Sequence, residues 1–143
     1  METKQPIITK IQHVGIPTSN LTRSQEFYEG LNFKNVMAAS FKHNEEEGKV
    51  VMMKSGDVII EIYQLPGSDR NLIHPSGNRR IDHIAFDVSD INITFKSLKA
   101  AGYNVIEDSP VFLPFWKNGC RYFNILGPEG ERIEFNQILE DEL

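Results

Sequence analysis

The stretch Ile11-Gln12-His13-Val14-Gly15-Ile16 has a counterpart 70 positions later in Ile81-Asp82-His83-Ile84-Ala85-Phe86. Each is a short apolar run with one histidine in the same place. Each is followed by a helical pattern and, further on, by a strand segment ending in Ile-Glu, at Ile60-Glu61 and at Ile133-Glu134. The same offset of 70 also maps Leu21 to Ile91 and Phe33 to Tyr103, whereas Glu61 and Glu134 are 73 apart. A fixed offset of this size signals paired structural units. The three extra residues belong in the second half, most naturally in the loop 108–118.

The local patterns repeat in the same order. Residues 7–16 alternate as a half-buried strand, with Ile7, Ile11 and His13 on one face, Ile8, Val14 and Ile16 on the other, and Thr9, Lys10 and Gln12 as the polar positions. Ser19-Asn20 is an N-cap for a helix over 20–31, where Leu21, Ser24, Phe27, Tyr28 and Leu31 recur at helical spacing. Strands are expected over 33–42, 49–54 and 57–64, the last two joined at Ser55-Gly56. Pro66, Gly67, Pro75 and Gly77 mark 66–79 as a linker. After it come a strand over 81–88, a helix capped by Ser89-Asp90 and ended by Ala101-Gly102, and a strand over 103–107. A hairpin of 121–126 and 131–138 around Gly127-Pro128-Glu129-Gly130 closes the series. The expected fold is therefore α+β. Two βαβββ modules, about 8–65 and 80–138, pair into a curved, cavity-forming mixed sheet within one domain of 143 residues.

Acidic residues outnumber basic ones 20 to 15 and the basic ones are scattered, which argues against nucleic acid as a partner. Apolar runs such as Val58-Ile59-Ile60 are too short to span a membrane. The single Cys120 excludes an internal disulfide and no signal-peptide pattern is present, so a cytoplasmic protein without a membrane partner is expected. Glu45-Glu46-Glu47 reads as a solvated turn, and His43 and His74 read as surface residues.

The duplicated histidine and glutamate carry the chemistry. Glu61 shares a strand face with Ile59 and Tyr63, and a carboxylate on an apolar face is costly unless paired or coordinated. Glu134 has Arg132 and Asn136 as same-face neighbours, so its own setting is more polar. Taken together, His13, Glu61, His83 and Glu134 form an N2O2 donor set suited to one divalent ion, with coordination sites left for water or substrate. The loop Phe112-Leu113-Pro114-Phe115-Trp116-Lys117-Asn118-Gly119 is apolar yet carries Lys117 and is followed by Arg121. Trp116, Lys117 and Arg121 are therefore candidate contacts for an anionic or polyhydroxylated substrate, with packing on the sheet or a dimer contact as the other reading of the loop.

These residues resemble the vicinal oxygen chelate superfamily, which includes glyoxalase I, methylmalonyl-CoA epimerase, extradiol dioxygenases and bleomycin-resistance proteins. The carriers are I-Q-H-V-G-I, the segment Ser24 to Phe33, V-I-I-E-I-Y, I-D-H-I-A-F-D-V and G-P-E-G-E-R-I-E-F, spanning nearly the whole chain. The resemblance implies a metal ion (Zn, Ni, Co, Mn or Fe) held by His13, Glu61, His83 and Glu134. It also implies a small-molecule substrate and a homodimer. Glu61 at the second ligand position leans toward glyoxalase I. By resemblance, that branch works through metal-stabilised enediolate proton transfer, with Glu134 or Glu61 as the base. The alternatives are an epimerase of the methylmalonyl-CoA type and a non-catalytic, small-molecule-binding resistance protein. Where bacterial glyoxalase I enzymes carry an Arg and an Asn for glutathione, this chain has Pro17 and Leu65, neither of which offers a side-chain hydrogen bond.

Overall fold

The computed structural model describes residues 7–67, 69, 81–128 and 132–140. Most of the 66–79 linker, His74, residues 129 and 130 of the expected turn and residue 131 of the expected last strand lie outside them. The elements run β1 (Ile8–Pro17), α1 (Leu21–Gly30), β2 (Lys34–His43), β3 (Glu46–Ser55), β4 (Val58–Gln64), β5 (His83–Val88), α2 (Ile91–Ala100), β6 (Asn104–Val105), β7 (Val111–Leu113), β8 (Cys120–Leu126) and β9 (Arg132–Ile138). This is an α+β chain with a mixed sheet, and the βαβββ order appears twice. β7 is an extra short strand inside the second copy. It occupies the segment expected to be a loop because Val111, Phe112 and Leu113 find antiparallel partners on β8.

The chain forms two compact units whose limits do not follow the sequence repeat. One is residues 13–82; the other combines 83–143 with the N-terminal residues 1–12. β1 therefore supplies its first half to one unit and its second half to the other.

In the 13–82 unit the strand order is β2-β3-β4-β1, antiparallel except for β4 with β1. Val51, Met53, Ile60 and Ile62 form its buried core, with Ile16, Leu21, Tyr28 and Phe33 packed against them. Phe27 and Leu31, expected on the same helical stripe, are exposed. At about 100° per residue, Leu21, Ser24 and Tyr28 already fill the narrow face that meets the sheet. The β2–β3 hairpin is longer than expected, pairing as far as His43 with Glu46. Asn44 and Glu45 both adopt positive φ, the two-residue turn that matches strand twist. Glu45 thus lies in the turn while Glu46 and Glu47 begin β3, all three exposed. The β3–β4 turn is Gly56-Asp57.

In the other unit the order is β1-β5-β9-β8-β6, with β7 also on β8. Helix α2 buries Ile91, Phe95 and Leu98 on Val88, Phe123, Ile125 and Phe135. Phe123 lies 5.1 Å from Phe95 and 5.2 Å from Phe135, ring centre to ring centre. Burying a ring of this kind contributes about 1.5 to 3 kcal/mol.

Each helix is fastened by the same device. Asn20 and Asp90 cap the first turns, accepting from Arg23 N and from Asn92 N and Ile93 N respectively. In addition, Gln64 Oε1 accepts from Leu21 N at 3.0 Å, and Gln137 Oε1 accepts from Ile91 N at 2.9 Å. The amide at the end of each module's last strand thus satisfies a helix N–H that would otherwise have no intrahelical partner. Gln64 and Gln137 each stand three residues beyond the repeated glutamate.

Candidate metal centre

Strand alternation and register decide which face each candidate ligand occupies. In the 13–82 unit, Met52 lies opposite Glu61, and Gly15 lies opposite Glu61 on the other side. Residues paired across adjacent strands share a face. Glu61, His13, Gly15, Met52, Val50 and Tyr63 therefore occupy the face turned away from α1, because Ile60, Ile62, Val51 and Met53 take the helix side. His13 is 1% exposed, and its Nε2 stands 3.7 Å from Glu61 Oε2.

The second unit repeats this arrangement. Glu134 pairs with Ala85 on one side and Asn124 on the other, while Phe135, Ile133 and Phe86 face α2. His83 sits on the Glu134 face, its Nε2 3.4 Å from Glu134 Oε1. Glu134 itself is 7% exposed. Both His–Glu separations exceed the usual N–H···O distance of about 2.9 Å. Two donors about 2.0 to 2.2 Å from a common ion stand about 2.8 to 3.6 Å apart at octahedral to tetrahedral angles. Each pair thus has the donor chemistry and near enough the spacing to take two coordination positions of one divalent cation. Gly15 and Ala85 are the repeat-equivalent residues opposite the two glutamates, and a larger side chain at either place would crowd the carboxylate beside it.

What surrounds the two pairs differs. Met37, Ala39, Phe41, Val50, Met52 and Tyr63 share the His13–Glu61 face, so that face is largely apolar. The face of His83 and Glu134 is polar, buried at Gln12, Asn136 and Glu134 and opening to solvent at Thr9. Thr9 Oγ1 donates to Asp87 Oδ2 at 2.7 Å, and Gln12 Nε2 donates to Asp87 Oδ1 at 3.1 Å and to Asn136 Oδ1 at 3.0 Å. Asn136 Nδ2 then donates to Glu134 Oε2 at 2.9 Å. Arg132 Nη2 donates to His83 Nδ1 at 2.8 Å. Buried polar groups are tolerated where they satisfy one another, and this chain of amides fixes the orientation of Glu134 with Oε1 toward His83.

Sequence reasoning read Gln12 only as one of the polar positions of a half-buried strand; the structure buries it in this network. Asn136 and Arg132 made a carboxylate at Glu134 look less anomalous than one at Glu61. Their shared alternation with a glutamate and a histidine was the signal that they belong to the site. Among the substrate candidates, Trp116 lies in the loop after β7 at φ 64, a left-handed conformation that costs a residue with a Cβ about 1 kcal/mol, and Lys117 beside it is exposed. Arg121 pairs with Gln137 and Phe112, on the side of β8 opposite Tyr122 and Asn124, with its guanidinium 5.9 Å from the Phe112 ring centre. It is therefore on the other face from Glu134. His43, expected at the surface, is about a third exposed with Nε2 2.7 Å from Asp69 Oδ2.

With this geometry in place, comparison with known proteins is direct. The chain belongs to the Glyoxalase/Bleomycin resistance protein/Dioxygenase superfamily, whose family model matches residues 10–135. It is 29% identical over 132 residues to the uncharacterized protein YwbC of Bacillus subtilis (strain 168), covering 90% of this chain and 97% of that one. Among solved structures it resembles hypothetical protein BH1468 from Bacillus halodurans C-125, with TM-score 0.71 and 24% identity over 94% of this chain and 97% of that one. It also resembles methylmalonyl-CoA epimerase from Mycobacterium tuberculosis, with TM-score 0.75 and 18% identity over 98% and 94% of the two chains. At these identities the structural likeness speaks for the fold. Among the described residues no helix is long and apolar enough to cross a membrane.

Proposed function

We propose that His13, Glu61, His83 and Glu134 together hold one divalent cation and that the protein is a metal-dependent lyase or isomerase of the glyoxalase I type. The single observation that carries this reading is the repetition of a buried His–Glu pair, at 3.7 Å and 3.4 Å, on the face of each module turned away from its helix. A bound cation supplies Lewis acidity, making a C–H beside a substrate carbonyl easier to deprotonate. The chain's own residues do the rest. Glu134 moves the proton between neighbouring carbons, held ready by the Asn136 amide on Oε2, and Glu61 is the second carboxylate within the same constellation.

The substrate is a small oxygenated carbonyl compound with an apolar portion, since Val50, Met52 and Tyr63 flank Glu61. Pro17 lies opposite Tyr63 on this face, so glutathione finds no guanidinium there. Trp116 and Lys117 offer the loop contacts. The protein works as a homodimer in the cytoplasm.

Epimerisation of an acyl-CoA thioester is the second reading. It uses the same proton abstraction, and methylmalonyl-CoA epimerase is among the proteins that share this fold.

The test is metal analysis of the purified protein, followed by exchange of substrate-carbon protons in deuterated water across hemithioacetals, acyl-CoA thioesters and sugar ketones. The expected result is one divalent ion per chain, with exchange on one substrate class that Glu134→Gln abolishes. A protein that takes up no divalent metal after reconstitution would refute the reading.

A further inference from the structure

Asn124 is 2% exposed and lies opposite Glu134 in the β8–β9 register, so the two side chains share the face turned away from α2. Glu107, in the bend between β6 and β7, clamps it twice. Glu107 Oε1 accepts from Asn124 N at 2.6 Å, and Oε2 accepts from Asn124 Nδ2 at 2.9 Å. A carboxylate can only accept, so the end of the amide turned toward Glu107 is its NH2. The clamp thereby fixes which way round the amide stands. Its other end, Oδ1, is buried, and no donor among the described residues reaches it. A carbonyl oxygen held out of water without a donor is costly, and such an atom beside a candidate base points to a ligand group. Opposite Glu61 the corresponding residue is Met52, so the first module offers no amide there.

We propose that Asn124 Oδ1 accepts a hydrogen bond from a hydroxyl of the substrate beside Glu134, and that Glu107 is the positioning residue that keeps this acceptor in place. This rests on the reading of Glu134 as the base, and it names the substrate class: an α-hydroxycarbonyl compound. Its hydroxyl-bearing carbon carries both the C–H that Glu134 takes and the O–H that Asn124 accepts. A carboxylate in that place has oxygens that only accept, and they would meet Oδ1 lone pair to lone pair. A thioester bearing a carboxylate instead of a hydroxyl is therefore turned away, which separates the two readings of the chemistry. Glu107→Gln undoes the device without touching Asn124. The Gln Oε1 keeps the Asn124 N–H, which leaves Nε2 facing the amide. Donor would then face donor, so the Asn124 amide turns round and presents Nδ2 to the ligand in place of Oδ1.

The experiment measures binding of 2-hydroxyacetophenone and 2-methoxyacetophenone to zinc-reconstituted wild type and Glu107→Gln by calorimetry, and follows the Asn124 side-chain carbonyl by 13C NMR. The methoxy ketone keeps both oxygens and lacks only the donor. Wild type should bind the hydroxy ketone about tenfold more tightly, the worth of one buried hydrogen bond whose loss strands the acceptor. The Asn124 carbonyl resonance should move with the hydroxy ketone alone. Glu107→Gln should lose the preference, because Nδ2 donates to either oxygen. A preference that survives Glu107→Gln reflects the bulk of the methyl group and overturns the proposal, as does binding of neither ketone. Zinc uptake without a preference overturns it and leaves the metal reading intact. A preference shown by a protein that takes up no metal keeps Asn124 as the acceptor and refutes the metal reading. If Glu107→Gln does not fold, the wild-type carbonyl resonance decides alone: no shift on adding the hydroxy ketone overturns the proposal.

Discussion

Replacing Asn136 by alanine tests the buried network that orients Glu134. Asn136 is buried between three groups: its Nδ2 donates to Glu134 Oε2 at 2.9 Å and lies 3.8 Å from Cys120 Sγ, while its Oδ1 accepts from Gln12 Nε2 at 3.0 Å. Gln12 retains Asp87 Oδ1 and the Asn136 backbone oxygen after truncation, so its loss is partial. Glu134, at 7% exposure, loses a hydrogen bond to a charged group, which costs about 1.5 to 3 kcal/mol. With about 0.5 to 1 kcal/mol for the Gln12 contact, the expected destabilisation is about 2 to 4 kcal/mol. For a chain of this size that is a fall in Tm of roughly 6 to 12 °C. The assay is urea unfolding of the metal-free protein, with the denaturant slope unchanged. A double-mutant cycle with Glu134→Gln isolates the pair, and the expected coupling is above about 1 kcal/mol. A cost under about 0.5 kcal/mol, or additive effects in the cycle, would refute the assignment of Asn136 as the clamp on Glu134.

Further outcomes follow from the packing. Gln64→Leu and Gln137→Leu should each cost about 1 kcal/mol by leaving a helix N–H unsatisfied, and because the two ties lie in separate units the double variant should be additive in chemical denaturation. Ala85→Leu places a branched side chain opposite Glu134 at a fully buried position; metal uptake should fall at least tenfold by chelator competition, with stability lower by about 1 to 3 kcal/mol. Phe123→Ala removes the ring between Phe95 and Phe135 and should cost about 3 to 5 kcal/mol by urea unfolding, since that ring is fully buried.

How much of this was readable beforehand depended on whether the signal was local. The fold was legible because a duplicated strand shows itself as a fixed offset, and alternation assigns His13, Glu61, His83 and Glu134 each to a strand face without any knowledge of partners. The caps at Asn20 and Asp90 were legible for the same reason, one residue acting on its own turn. The network was not. Gln12 bonds Asn136 across 124 positions, and nothing near Gln12 distinguishes it from a solvent-facing polar residue. Asn136 and Arg132 read only as a more polar setting for Glu134, whereas their polarity is matched internally. Arg121 failed on parity: a candidate chosen for its charge and its nearness to an aromatic loop lies on the face opposite Glu134. The turn expected over Glu45-Glu46-Glu47 falls at Asn44-Glu45 because the pairing of the flanking strands runs on to His43 and Glu46, placing a glutamate at a positive φ it rarely adopts.

The division of β1 bears on where such a chain could be cut. Residues up to Gln12 hydrogen-bond with Asp87 and Asn136, near the other end of the sequence, while His13 onward belongs with the first half. Severing the chain in the 66–79 linker would thus leave the C-terminal fragment without the strand that completes its polar network. The two fragments should be complementary rather than autonomous, regaining structure on mixing.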